Sequence, residues 1–203
     1  ISIMMAAEDH PSPVCRDHWL SERIFDWADL GATHLRGGFF YENLIRFAAT
    51  GIARESRIIL PLGEGEARLA WVGGADMAQA AASILRDPTG HAGKCYDITG
   101  DRLLSIRDIA TEMSAVLGRP IVYSDIALAE WLMSVKQTLG DNAQLRRHVS
   151  VLATAFGAGR VVGRTTDTLQ KIAGVPPQSI RSFVFENANC FTPAKERGEA
   201  LYG

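Results

Sequence analysis

Apolar residues come in short runs over roughly the first 120 positions of the chain, separated by polar, glycine-rich breaks, and the spacing inside each run assigns its element. Residues 1–5 are apolar and β-prone and lead into turn chemistry at 8–13, so they read as a strand of a fold already under way. Ser12 before Pro13 predicts a helix start: the serine oxygen can accept from an unpaired N–H, and proline at the first helical position gives up no needed donor. Leu20, Ile24 and Trp27 follow at i, i+4 and i+7, which predicts a helix covering a sheet and ended by Gly31. Residues 33–36 form a short strand. Gly37-Gly38 turns into a helix with Phe40, Leu44, Phe47 and Ala48 on its face, closed by Gly51. Residues 57–60 and 67–72 are predicted strands, the second alternating in polarity. From Gly74 a helix carries Met77, Ala80, Ala81, Ile84 and Leu85, with Pro88 just beyond it.

Residues 95–99 are the next strand. Ser105 and Asp108 make a capping-box-like start for a helix with Ile106, Ile109, Met113, Val116 and Leu117 inward, ended by Gly118 before Pro120. A strand at 121–123 follows. Beyond Asp125 the pattern becomes helical only, at 127–139, 143–156, 166–172 and again after Gln178. Strands alternating with helices and then helices alone predict an α/β sheet domain over 1–124 and a smaller, mainly helical C-terminal lobe over 125–203.

Composition narrows the classes. The chain has 203 residues, 47% of them hydrophobic, enough for a buried core, which excludes disorder. A net charge of −2 leaves no basic stripe for a phosphate backbone, so direct nucleic-acid binding is excluded. Arg146-Arg147-His148 and Arg160 with Arg164 are short clusters that read as a solvated face. Cys15, Cys95 and Cys190 lie far apart, in neither a zinc pattern nor a disulfide framework, so no metal is expected and the thiols are expected to be reduced. No apolar run is long enough to span a bilayer, and no signal peptide is legible at the start. A cytoplasmic protein without membrane contact is the expectation.

Two motifs tempt and fail. Gly157, Gly159 and Gly163 resemble a dinucleotide loop but miss G-x-G-x-x-G by one residue and come too late in the chain to open a βαβ unit; they read as a connection between helices. A serine hydrolase using Ser2 lacks the G-x-S-x-G elbow.

A family resemblance is carried by three stretches. His18-Trp-Leu-Ser-Glu22, followed by Thr33-His-Leu-Arg36 and Phe40-Tyr-Glu-Asn43, resembles the helix, strand and turn T-x-L-R-x-x-x-F-x-E-N of NmrA-like proteins, which are atypical short-chain dehydrogenases/reductases. Trp71-Val-Gly-Gly-Ala-Asp76-Met-Ala resembles the family's next strand and helix start. Tyr96-Asp-Ile-Thr-Gly100, Leu104-Ser105 and Leu117-Gly-Arg-Pro-Ile-Val-Tyr123 resemble its following segment, and Ile172-Ala-Gly174-Val-Pro-Pro177 with Phe183 its usual ending.

The resemblance implies a Rossmann-like, doubly wound parallel sheet, with residues 1–124 holding the rest of an NAD(P)-binding domain interleaved with substrate-lobe segments. The family's glycine-rich loop is expected ahead of Ile1. NADP or NAD is the implied cofactor, bordered by Ser2, Met4, His18, Arg36 and Phe39, and a small-molecule substrate is expected against Met5, Phe40 and Asn43. Alignment on Glu22 places Val14 where reductases of the wider superfamily carry the tyrosine of their Tyr-x-x-x-Lys pair, and His18 in place of the lysine. His18 is thereby the candidate catalytic residue. An NAD(P)H-dependent oxidoreductase of a small electrophile such as a quinone is the expected function, favoured by the apolar set Met4, Met5, Phe39, Phe40 and Trp71. The alternative, favoured by the missing Tyr/Lys pair, is a non-catalytic, redox-sensing regulator working through protein contacts, with a protein partner or a homodimer.

Overall fold

The computed structural model describes residues 1–136, 140–159 and 163–193. In chain order the elements are β1 (Ser2–Ile3), α1 (Pro13–Trp27), β2 (His34–Gly37), β3 (Phe39–Phe40), α2 (Glu42–Glu55), β4 (Arg57–Ile59), β5 (Leu69–Val72), α3 (Gly74–Arg86), β6 (Cys95–Ile98), β7 (Leu103–Leu104), α4 (Ile106–Leu117) and β8 (Val122–Ser124). Helices α5 (Leu128–Ser134), α6 (Ala143–Gly157), α7 (Thr168–Ala173), α8 (Ile180–Glu186) and α9 (Ala188–Phe191) follow. The chain is α/β with a Rossmann-like arrangement. β1, β2 and β6 form a parallel sheet in that order, with Ser2 opposite Arg36 and Gly37 opposite Ile98.

At Gly38 the chain leaves that sheet. Its N–H still donates to Ile98 O (3.1 Å), while the next two residues pair with β5, Phe39 opposite Trp71 and Phe40 opposite Val72. A Cβ at Gly38 would overlap the Ala70 carbonyl oxygen, so the close passage of the two backbones selects glycine there. β7 adds antiparallel to β5, and β4 pairs with β8 in parallel.

The expected caps are present: Ser12 Oγ accepts the Cys15 N–H at the head of α1, Ser105 and Asp108 form a capping box on α4, and Gly118 ends α4 in the left-handed region (φ 66°). Four expectations are corrected. Leu20, Ile24 and Trp27 do not cover a sheet but face outward, Trp27 being 71% exposed, because α1 packs on β1 and α6 through its other face, where Cys15 and Glu22 are buried. Gly51 does not close α2, which runs on to Glu55 and is ended by Ser56 in the left-handed region; a Cβ at Gly51 would lie 2.8 Å from Arg57 O, so close packing of the following strand accounts for it. β5 does not alternate, since all four of its residues are buried by elements on both faces. Leu85 turns outward from α3.

The helices after residue 143 fold back onto the strand-bearing part. α7 packs on α3, α8 on α4 and α9 on α2, and Phe156, Phe183 and Phe191 join Trp71, Ile109 and Met113 in one apolar core. The stretch 137–139 of the expected helix 127–139 lies outside the described residues, as do Arg160 and the middle of the Gly157–Gly163 run. Among the described residues no helix is long and apolar enough to cross a membrane.

Candidate functional site

Parallel strands ending together leave a hollow beyond their carboxyl ends, where ligands of such sheets collect. Here Ile3, Met4 and Met5 follow from β1 and Gly37 to Phe40 from β2 and β3, and with Asn43, Ala70, His148, Leu152 and Gly163 they line a cavity of about 190 Å3. A second cavity of about 230 Å3 shares Phe39, Asn43, His148 and Leu152 with it and reaches Phe47, Trp71, Trp131 and Phe156. The two adjoin across a common wall.

The first cavity is apolar except for Asn43 and His148. Asn43 sits in the first turn of α2, and its amide makes no hydrogen bond among the described residues. His148 comes from α6 and is the correction to the expected solvated face at 146–148. Its Nδ1 lies 2.7 Å from Ser12 Oγ, which also accepts the Cys15 N–H. Burial, reinforced by the nearby His10 and His18, pushes the His148 pKa down to about 4, so the ring is neutral at physiological pH. The signal for His148 is in the sequence after all: Leu145, His148, Val149, Leu152 and Phe156 recur at helical spacing, which places the histidine on the inward stripe.

The expected site residues divide. Met4, Met5, Phe39, Phe40 and Asn43 line the cleft. Ser2 and His18 line a separate cavity of about 160 Å3 with Glu22, Thr33 and His34, toward the amino ends of β1 and β2. Burial lowers the His18 pKa, against the pull of Glu22. Arg36 is engaged by Glu22 through two hydrogen bonds, Nε to Oε1 at 2.8 Å and Nη2 to Oε2 at 2.5 Å. Glu22 is 2% exposed; burial opposes its charge, yet the Arg36 hydrogen bonds hold its pKa below the ordinary value, and Arg36 is kept charged in return. Next to this pair, Asp26 binds His34 (2.7 Å) and Arg23 (2.6 Å). The charges therefore fasten α1 to β2. Trp71, expected among the cleft residues, lines the second cavity and gives its indole N–H to Leu104 O (3.0 Å).

An aromatic and thioether floor with one amide and one neutral imidazole accepts a flat ring bearing few polar atoms. It suits the ring end of a nicotinamide dinucleotide. No lysine or arginine lines the first cavity. No group of three or more side chains able to hold a metal occurs among them.

No protein-family model matches the chain. It is 30% identical over 191 residues to the NAD(P)H azoreductase of Xenophilus azovorans, covering 93% of this chain and 64% of that protein. It is 26% identical over 133 residues to quinone oxidoreductase 2 of Escherichia coli, covering 66% of this chain and 45% of that one. The chain thus spans less than two thirds of the length of these relatives. Among solved structures, NmrA, a negative transcriptional regulator crystallised with NAD, superposes with a TM-score of 0.67 at 16% identity over 93% of this chain and 64% of its own. Taken with the order of elements, these likenesses show that the chain has the Rossmann-like fold of NmrA and of NAD(P)-binding reductases, with a sequence match to the azoreductase along nearly its whole length.

Proposed function

We propose that this chain carries the substrate cleft of an NAD(P)H-dependent oxidoreductase that reduces flat, electron-poor aromatic compounds of the quinone class. The observation that carries the reading is the cavity at the carboxyl ends of β1 and β2, walled by Met4, Met5, Phe39 and Phe40 with Asn43 as a free amide. The names of the relatives, an azoreductase and a quinone oxidoreductase, point to the same substrate chemistry. NADPH or NADH, when bound, would supply the hydride. Met4 and Phe39 would face its ring, while Met5 and Phe40 keep water from the substrate and Asn43 orients it through a polar substituent. Val14, standing where a tyrosine would donate a proton, has none to give, so turnover is slow beside a Tyr/Lys reductase. A cytoplasmic setting, where nicotinamide pools and reduced thiols occur, goes with this reading.

The test is titration of the protein with NADPH and with NADH, followed by tryptophan fluorescence, and then steady-state reduction of menadione. Saturable quenching and slow, nucleotide-dependent turnover are expected, with Asn43→Ala raising KM about fivefold, the scale of one lost hydrogen bond. No quenching at millimolar nucleotide overturns the reading. Nucleotide binding with no turnover on any quinone favours the second one, a redox-sensing regulator or homodimer acting through protein contacts, for which the outward stripe Leu20, Ile24, Phe25 and Trp27 on α1 offers an apolar surface.

A further inference from the structure

We propose that Ser12 and His148 form a two-residue relay that presents the His148 Nε2–H into the cleft as the hydrogen-bond donor for a carbonyl oxygen of the ligand. The inference rests on the quinone-class reading only for the choice of ligand.

The relay follows from counting protons. Ser12 is fully buried, and a buried hydroxyl must place its single proton on an acceptor. Its oxygen already receives the Cys15 N–H as the cap of α1, which fills a lone pair and leaves the proton unassigned. Among the described residues the acceptor within reach is His148 Nδ1, at 2.7 Å. A ring that accepts at Nδ1 and is neutral carries its one hydrogen on Nε2. Burial, with His10 and His18 nearby, holds the ring neutral, so the tautomer is set by the serine and not left to exchange.

The position of the ring gives that hydrogen a use. His148 lines both cavities and belongs to the wall they share, with Phe39, Asn43 and Leu152. With Nδ1 committed to Ser12, Nε2 is the polar edge left for a ligand, and it makes no hydrogen bond among the described residues. Around it the lining is aromatic and aliphatic, where a donor is worth more than in water because water cannot compete for the oxygen. A neutral donor suits an uncharged carbonyl: it fixes the ligand's orientation and withdraws charge from its oxygen without giving up the proton. The relay supplies this donor from α6, a helix of the last third of the chain.

The experiment compares menadione with 2-methylnaphthalene, which has the same ring shape and no carbonyl oxygen, by equilibrium dialysis with no nucleotide present. Wild type is expected to prefer menadione beyond the intrinsic difference by about five- to tenfold, the scale of one hydrogen bond. His148→Phe should abolish the preference with both compounds still bound, and His148→Gln, whose amide places an N–H near the position of Nε2, should restore most of it. Nitrogen-15 spectra of the imidazole should show protonation at Nε2 in wild type and a tautomer mixture in Ser12→Ala. An unchanged preference in His148→Phe, an Nδ1-protonated ring in wild type, or no menadione binding at all overturns the proposal. The reductase reading fails separately: a His148-dependent preference without nucleotide-driven reduction retires that reading and leaves the relay standing.

Discussion

Glu22 and His148 are the two side chains whose surroundings most change what their residue type suggests. A glutamate on an exposed helix is ordinarily solvated, but Glu22 lies beneath α1 with both carboxylate oxygens on the Arg36 guanidinium. Removing one partner of a buried pair leaves the other charge desolvated and uncompensated, so Glu22→Ala should cost about 3 kcal/mol in chemical denaturation. The folded pKa of Glu22 is depressed, so its stabilisation is present above the ordinary carboxylate value and is lost as pH falls through the depressed one. Wild type should therefore lose stability more steeply than Glu22→Gln on acidification below about pH 4. Parallel acid limbs in the two proteins would show that the pair contributes nothing through its charge. The spacing of Leu145, His148, Val149 and Leu152 marked His148 as inward, but the role of Glu22 was not legible locally. H-x-x-x-E announces a helix face, but only the pairing of Ser2 with Arg36 across β1 and β2 brings the arginine under it, and the sequence holds no trace of that register.

Glycine shows why elements were easier to locate than to bound. Gly118 and Gly51 both follow an inward apolar stripe, and both read as helix ends. Gly118 is one, with a positive φ and nothing near its missing side chain, whereas Gly51 lies inside α2 against the following strand. One residue type meets two needs, an unusual backbone angle or a close neighbour, and spacing does not separate them. The two needs respond differently to substitution. Gly118→Ala should cost about 1 kcal/mol, the penalty of a left-handed alanine. Gly38→Ala should cost about 2 kcal/mol or more, because the new methyl overlaps the Ala70 carbonyl and must push β3 from β5. It should also weaken menadione binding, since Phe39 and Phe40 move with that strand. Equal melting temperatures for the two variants would mean that the β2–β3 passage is looser than its geometry. The α1 stripe teaches the same lesson at helix scale: spacing revealed an apolar face, but the buried face is the other one, chosen by Cys15 and the Glu22–Arg36 pair.

At the scale of the molecule, the alternation of strands and helices was enough to read an α/β sheet domain, and the family resemblance implied its Rossmann-like form, while the cleft depends on segments that meet only after folding. Its floor comes from residues 3–5 and 37–40, its wall from Asn43 and Ala70, and its closure from His148, Leu152 and Gly163. Local pattern marked the strands that carry the floor at residues 1–5 and 33–36, but it set Phe40 on a helix where the structure has strand β3. It could not say which helix of the last third turns inward, because α6 carries apolar residues beside Arg146 and Arg147 and its partner faces, β3 and α1, lie far away in the chain. A ligand in this cleft must then couple the two ends of the sequence. Menadione at about 100 times its Kd should stabilise the protein by about 2.7 kcal/mol if it binds only the folded chain. Hydrogen exchange should slow at residues 39–43 and 145–152 together, because a ligand filling the shared wall ties α6 to β3. The separate cavity of Ser2 and His18 offers the opposite signature. Protection confined to α1 and the start of β2, with α6 unchanged, would move the ligand there and make His18, not His148, the histidine that meets it.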